Sequence, residues 1–213
     1  MNILSIWKKG VAVIKGLKET DIDRDPVKQF QKWLQDAQNA RCHLPEAIAL
    51  ATATPEGRPT ARMMLLKGAD ERGFVFYTNY ESRKADQLAS NPFAAIICYW
   101  GELERQVRIE GRVEKISEDE STAYFQSRPR GSQIGAWASE QSSIIEGRED
   151  LEQRFRKYEK QFSKGTIPLP PFWGGYRLIP DRIEFWQGRT NRLHDRLCYL
   201  RDNGQWKVVR FSP

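Results

Sequence analysis

A chain of 213 residues with 39% hydrophobic and 11% aromatic content can bury one sizeable core. Its formal charge of +6 is spread over interleaved cations and anions, which excludes a basic nucleic-acid-binding tail. Cys42, Cys98 and Cys198 are odd in number and far apart, against a disulfide scaffold or a structural zinc site, and no apolar run is long enough to span a bilayer.

The segment 1–24 opens the chain with an apolar patch, Val11 to Ile14, bracketed by Lys8, Lys9 and Lys15 and followed by no small-residue cleavage site, unlike a secretory signal. From Asp25 to Ala40, residues Val27, Phe30, Trp33, Leu34 and Ala37 recur at helical spacing, with Pro26 in a tolerated first-turn position. Ala47 to Thr54, Thr60 to Lys67 and Gly73 to Thr78 are short β-prone runs separated by turn residues, predicting an antiparallel meander. A helix over Ser82 to Ala89 precedes strands at Phe93 to Trp100 and Arg105 to Ile116, the second interrupted by Gly111, where a bulge or bend is expected. Ser117-Glu118-Asp119-Glu120 offers a capping box for a helix reaching about Gln126, and Arg148 to Phe162 forms another helix. Strands at Tyr176 to Leu178, Arg182 to Gln187, Leu197 to Arg201 and Gln205 to Phe211 close the chain, with Asn203-Gly204 as a tight hairpin. The pattern predicts one domain over residues 25–213, mainly β with flanking helices and closed as a barrel.

Three stretches carry chemistry. Trp186 to Arg196 gathers an aromatic, several arginines and His194, a combination suited to an anionic ligand undergoing proton chemistry, although arginines at strand ends are commonly solvated surface. Ser82-Arg83-Lys84 starts a helix, where backbone N–H groups and two cations would hold a phosphate, with Arg62 as a third cation; the bland reading is a serine cap with solvated neighbours. Tyr124 and Arg128 stand one helical turn apart, with Ser132 across Arg128-Pro129-Arg130-Gly131, as a second hydroxyl-and-guanidinium pocket. Two phosphate sites suggest a phosphorylated cofactor beside a phosphorylated substrate. Arg62 and Lys67 have opposite strand parity, so a regular strand would aim them at opposite faces unless a bulge or the strand's end intervenes, or unless they serve different ligands.

Arg62-Met63-Met64-Leu65-Leu66-Lys67, Phe76-Tyr77-Thr78-Asn79, Ser82-Arg83-Lys84, Leu103 to Val107, Ser127 to Arg130, Ser132 to Trp137, Gln141-Ser142-Ser143, Pro170 to Gly175, Glu184 to Gly188 and Arg192 to Arg196 occur in order. Collinear over roughly Asp25 to Pro213, this set closely resembles the pyridoxamine 5′-phosphate oxidase family. The resemblance implies an FMN-binding split β-barrel, a homodimer with FMN in the cleft between subunits, and oxidation of pyridoxamine or pyridoxine 5′-phosphate by O2 to pyridoxal 5′-phosphate and hydrogen peroxide in the cytoplasm. It implies that the FMN site comprises Arg62, Met63, Met64, Leu65, Leu66, Lys67, Tyr77, Thr78, Arg83, Lys84, Gln106, Gln141, Ser142, Trp186 and Arg196. Substrate would meet Lys67, Tyr124, Arg128, Ser132, Arg192, Leu193 and His194, with Arg192 and His194 at the reacting carbon and His194 taking or relaying a proton. No metal, membrane or nucleic acid enters this reading. By type alone Trp186 reads as a core aromatic, Tyr77 as a packed strand residue and Gln106 as an exposed strand position. His43 reads as a loop residue.

Two rivals share parts of the pattern. An FMN module without oxidase activity would lack the second anion pocket, and an RNA-binding barrel would interleave exposed aromatics with cations on its strands. The chain departs from the family where relatives carry an Arg-x-x-Tyr element covering the substrate: no Arg precedes Arg24 and no Tyr precedes Tyr77. Trp7, Lys8 or Lys9 substitutes, or the lid is weakened, or the start is unusual. Substrate retention weaker than in relatives with the motif is expected, and a large rise in KM on deleting Met1 to Lys18 would show that the segment still closes the site.

Overall fold

The computed structural model describes residues 16–213. The patch Val11 to Ile14 and the lid candidates Trp7, Lys8 and Lys9 lie outside the described residues. In chain order the elements are α1 (Pro26–Asn39), β1 (Ala47–Ala53), β2 (Pro59–Leu65), β3 (Gly68–Asp70), β4 (Gly73–Asn79), α2 (Arg83–Ser90), β5 (Phe93–Trp100) and β6 (Arg105–Lys115). They continue with α3 (Glu118–Ser127), α4 (Arg130–Ala138), α5 (Arg148–Gln161), β7 (Trp173–Gln187), β8 (Asp195–Asp202) and β9 (Gln205–Arg210). No helix among the described residues is long and apolar enough to cross a membrane. The chain forms two compact units, one from the chain up to Pro45 with Tyr99–Arg108 and Arg182–Pro213, the other from Glu46–Cys98 with Ile109–Asp181.

The second unit holds the strand order β2-β1-β5-β6-β7-β4-β3. Its alternation is plain in β1, where Ile48, Leu50 and Thr52 are buried while the alanines between them are half-exposed. The β1–β2 register sets Leu50 opposite Arg62, which places a guanidinium over the middle of a strand pair. Helix α3 starts as its sequence requires: Ser117 Oγ accepts the Glu120 N–H at 3.1 Å. Buried Arg177 on β7 donates to Asp70 at 2.9 Å and to Glu120 at 3.1 Å, tying α3 and β3 to the sheet.

In the first unit, α1 begins at Asp25, whose carboxylate accepts the Val27 N–H at 2.8 Å. Its apolar face lays Trp33 edge-on against Phe185 at 5.1 Å and Phe30 against Trp100 at 6.1 Å. Strands β8 and β9 add to the end of β7 as a hairpin, and Asn203 and Gly204 both take positive φ (48° and 81°), the conformation that a two-residue turn of this hand demands.

One predicted feature differs. The strands expected at Tyr176 to Leu178 and Arg182 to Gln187 are one strand, β7: the β4 ladder ends at Leu178 and the β8 ladder starts at Arg182, so Pro180 falls where neither ladder asks for its missing N–H. Strand β6 continues through Gly111. A Cβ there would collide with the Ile179 carbonyl oxygen and stand 2.8 Å from Pro180 Cα, so close backbone approach explains the glycine. Gly111→Ala should cost about 3 kcal/mol, since neither backbone can move away without breaking the sheet, a loss readable as a lowered urea midpoint.

Candidate active site

An open cavity of about 440 Å³ lies in the second unit. Lys67 reaches it from just beyond β2, Tyr77 and Thr78 from β4, Tyr124 and Arg128 from the end of α3, Ser132 from the first turn of α4, and Gln141 and Trp173 from the approaches to α5 and β7. Tyr77 stacks on Tyr124 at 3.8 Å and 19°, and both run nearly parallel to the Trp173 ring. Arg128 lies over that ring at 4.7 Å, with Nη1 buried and without a hydrogen-bond partner. Burial lowers the Arg128 pKa and raises those of Tyr77 and Tyr124, so the phenols stay neutral donors beside a guanidinium that lacks an acceptor. A buried guanidinium N–H of this kind is costly unless an anion arrives to meet it.

A second cationic cluster adjoins the wall. Arg62 donates to the Leu50 carbonyl at 3.0 Å, to Thr52 Oγ1 at 2.7 Å and to Thr60 Oγ1 at 2.5 Å; both threonine hydroxyls in turn donate to Gln87 Oε1. Lys84 Nζ donates to Ser82 Oγ at 2.9 Å, Thr78 Oγ1 at 3.0 Å and Gln141 Oε1. Burial first, and the neighbouring charges of Arg83 and Arg62, lower the pKa values of Arg62 and Lys84, the latter to about 8. Ser82 precedes α2 but turns its hydroxyl back to the Asn79 carbonyl at 2.8 Å instead of capping the helix, while Ser142 Oγ accepts the Arg83 N–H at 3.3 Å. No ion pair among the described residues engages Arg62, Lys67, Arg83, Lys84 or Arg128.

Other sequence-selected residues belong to the first unit. Trp186 packs against the His194 ring at 4.6 Å, and His194 Nδ1 accepts the Arg189 N–H at 3.1 Å. Arg196 donates to both oxygens of buried Glu184 at 2.9 and 3.1 Å, which raises its pKa. Arg192 lies in the turn that precedes β8, two residues ahead of His194. It closes a 3-10 turn, Thr190–Arg192, in which Asn191 and Arg192 take φ of 58° and 60°, a left-handed pair costing roughly 1–2 kcal/mol per residue. Gln106 is half-buried on β6.

The structure therefore brings Met64, Leu65, Lys67, Tyr77, Thr78, Tyr124, Arg128, Ser132 and Gln141 to one cavity, with Lys84 joined to it through Thr78 and Gln141; Arg62 acts on Lys84 by charge alone, and Arg83 and Ser142 meet each other beside the start of α2. Met63 is 68% exposed and Leu66 is buried, so neither lines it. Lys67 reaches the cavity because β2 ends at Leu65, which removes the parity conflict with Arg62. The shared helical face for Tyr124 and Arg128 is corrected: α3 stops at Ser127 and Arg128 is extended (ψ 149°), as the following Pro129 imposes, yet both side chains still converge on Trp173. Sequence reasoning missed helix α4, the Trp173 wall, and the Thr52–Thr60–Gln87 cradle. Alternation placed Thr52 inward among apolar neighbours, the one signal that could have found that cradle.

Residues 34–162 match the pyridoxamine 5′-phosphate oxidase family, and residues 173–213 match the pyridoxine 5′-phosphate oxidase C-terminal dimerisation region. The chain belongs to the pyridoxamine 5′-phosphate oxidase family. It is 58% identical to the pyridoxine/pyridoxamine 5′-phosphate oxidase of Rubrobacter xylanophilus, over 93% of this chain and 91% of that one. It is 54% identical to that of Cupriavidus necator, over 94% and 95%. PhzG from Burkholderia lata, solved with tetrahydrophenazine-1-carboxylic acid, superposes with a TM-score of 0.88 at 33% identity over 94% and 99% of the two chains. A pyridoxamine 5′-phosphate oxidase-related, FMN binding protein from Nostoc punctiforme, at 22% identity and a TM-score of 0.70 over 90% and 100%, shares the fold. That fold is the FMN-binding split β-barrel, and the family is one of oxidoreductases.

For a pyridoxamine 5′-phosphate oxidase family member, Lys84 sets a pH dependence. In the folded chain it loses its proton near pH 8, against 10.5 for an ordinary lysine, so the charged form is disfavoured by folding. The folded state is penalised below pH 8 and relieved as pH climbs toward 10.5. An FMN phosphate paired with Lys84 would restore the charge; with that pairing, FMN affinity should be highest below pH 8 and fall by up to about tenfold per pH unit above it. Calorimetric titration with FMN reads this slope, and Lys84→Met should flatten it.

Proposed function

We propose that the chain is an FMN-dependent oxidase converting pyridoxamine or pyridoxine 5′-phosphate to pyridoxal 5′-phosphate, with O2 reduced to hydrogen peroxide. The carrying observation is a pair of cationic groups flanking one cavity, neither given a carboxylate: Arg62, Arg83 and Lys84 on one side, Lys67 and Arg128 with Tyr124 and Ser132 on the other. Two phosphates from two molecules fit two such groups. The cofactor is FMN, as in the family. Its phosphate suits Arg62, Arg83 and Lys84, because the hydroxyls and amide around them accept hydrogen bonds without neutralising charge.

Bound FMN would supply the redox chemistry, as acceptor of a hydride from the substrate's 4′ carbon and source of the electrons for O2. The chain's residues position the reactants. Tyr77, Thr78, Gln141 and Ser142 hold the flavin side, with Met63, Met64, Leu65, Leu66 and Lys67 as the strand segment along it. Lys67, Tyr124, Arg128 and Ser132 hold the substrate phosphate, and Arg128 supplies the N–H that now lacks an acceptor. The working form is a homodimer with FMN at the subunit interface, supported by the match of residues 173–213 to a dimerisation region. Gln106, Trp186 and Arg196 contact cofactor in that assembly, while Arg192, Leu193 and His194 face the substrate ring. The three cysteines are free and buried, which suits the cytoplasm.

Purified protein should be yellow and generate peroxide from pyridoxine 5′-phosphate, measured by a coupled peroxidase assay. FMN-loaded protein that yields none would leave the flavin-module reading standing. Turnover of a carboxylated tricyclic aromatic in place of the phosphorylated pyridine would move the chain toward PhzG. Arg128→Met should raise KM about a hundredfold with little change in kcat, because phosphate loses a buried charged partner. Arg192→Gln should cut kcat/KM about a hundredfold while FMN stays bound, and unchanged turnover would remove Arg192 from the mechanism.

A further inference from the structure

Asp195 is the junction of a clamp that neither phosphate site uses. Its Oδ1 accepts from Arg210 Nη1 at 2.7 Å, and its Oδ2 accepts the Leu17 N–H at 3.0 Å and lies 3.6 Å from Arg189 Nε. Arg210 also donates to both oxygens of Glu19, at 2.8 and 3.0 Å, and to the Leu17 carbonyl at 2.8 Å. The Arg210 hydrogen bond holds the Glu19 carboxyl down at about 2, so the Glu19–Arg210 pair stays ionised at any working pH. A methyl on Gly16 would stand 3.1 Å from Asp195 Oδ2 and 3.3 Å from Arg189 Cζ, so the backbone at Gly16 lies against the guanidinium.

The clamped residue, Arg189, is also the one whose backbone N–H donates to His194 Nδ1. A neutral imidazole has one donor and one acceptor nitrogen, and a main-chain N–H can only donate, so the ring proton is on Nε2. Trp186 packed on the ring limits its rotation. The left-handed pair Asn191 and Arg192 makes the loop dependent on ties at its ends, because such conformations persist only where the surroundings over-determine them.

We propose that Asp195 is a positioning residue: by clamping Arg189 against Gly16 and Arg210, it holds His194 as the Nε2–H tautomer, so that the ring meets the substrate as a hydrogen-bond donor and not as a base. The inference rests on the reading of His194 as a substrate-facing group. It makes the segment Gly16 to Glu19 part of the catalytic loop's support, since that segment supplies Leu17 and Glu19 to the clamp.

The chain has two histidines, so His43→Gln leaves His194 alone in the nitrogen spectrum of 15N-histidine-labelled holoenzyme. At about pH 8.5, above the ordinary histidine range, the parent should show a protonated Nε2 and an unprotonated Nδ1. Asp195→Ala should give a mixture of tautomers and a kcat lowered about tenfold, with FMN retained and KM changed less than kcat. Asp195→Asn, which keeps an oxygen for the Leu17 N–H, should recover part of both and serves if the alanine variant fails to fold. A protonated Nδ1 in the parent overturns the proposal, as does an unchanged tautomer in both Asp195 variants. His194→Gln separates the two ideas: full turnover there defeats the catalytic reading of His194, whereas a slow His194→Gln beside a fully active Asp195→Ala defeats the positioning role.

Discussion

The proposed function depends on a set of cations without a carboxylate, of which Arg62, Lys84 and Arg128 are partly or fully buried. Arg62 and Lys84 are wrapped by threonine, serine and glutamine oxygens and one carbonyl, and Arg128 faces aromatic rings with one N–H unmet. Such an arrangement lowers stability, because desolvation of a charge is not offset by an opposite charge. Neutral acceptors fix the geometry while leaving the charge available, and the lowered pKa values of all three groups express that cost.

The remaining arginines show the contrast. Arg177 is saturated by Asp70 and Glu120, Arg105 by Asp36 and Gln187, Arg196 by Glu184, and Arg210 by Glu19 and Asp195. These are ties between elements, with charges already satisfied by the fold. Arg196 is the one of these also proposed to contact cofactor, and its third nitrogen, Nη1, donates to the Ser212 carbonyl at 2.8 Å. The same chemistry in two settings separates binding cations from structural ones, and only the partner list tells them apart.

Much of the secondary structure was legible because burial on one face forces a period: α1, β1, β5 and the Asn203-Gly204 hairpin follow their apolar and turn residues almost to the residue. Helix α4 was not, because Arg128-Pro129-Arg130-Gly131 carries loop residues into a helix whose first-turn residue, Ser132, reads as a loop group. Strand β7 read as two pieces because Pro180 looks like a breaker, and only the change of ladder partner beside it shows why it is tolerated. The close approach of the Ile179 carbonyl to Gly111 was not legible, because Ile179 is remote in sequence.

The amino-acid order by itself determined the family, the mainly β class and the identity of most side chains at the two anion clusters, because motif residues are chemical types at set spacings and survive reading without coordinates. Tertiary structure alone decided which cations lack counter-ions, that Thr52, Thr60 and Gln87 orient Arg62, and that a backbone N–H donates to His194 Nδ1. Most of those properties arise from groups far apart in the chain meeting where water is largely excluded and a hydrogen bond or its absence is worth more than in water; the Arg189–His194 contact is local but depends on a loop conformation that no periodic pattern encodes.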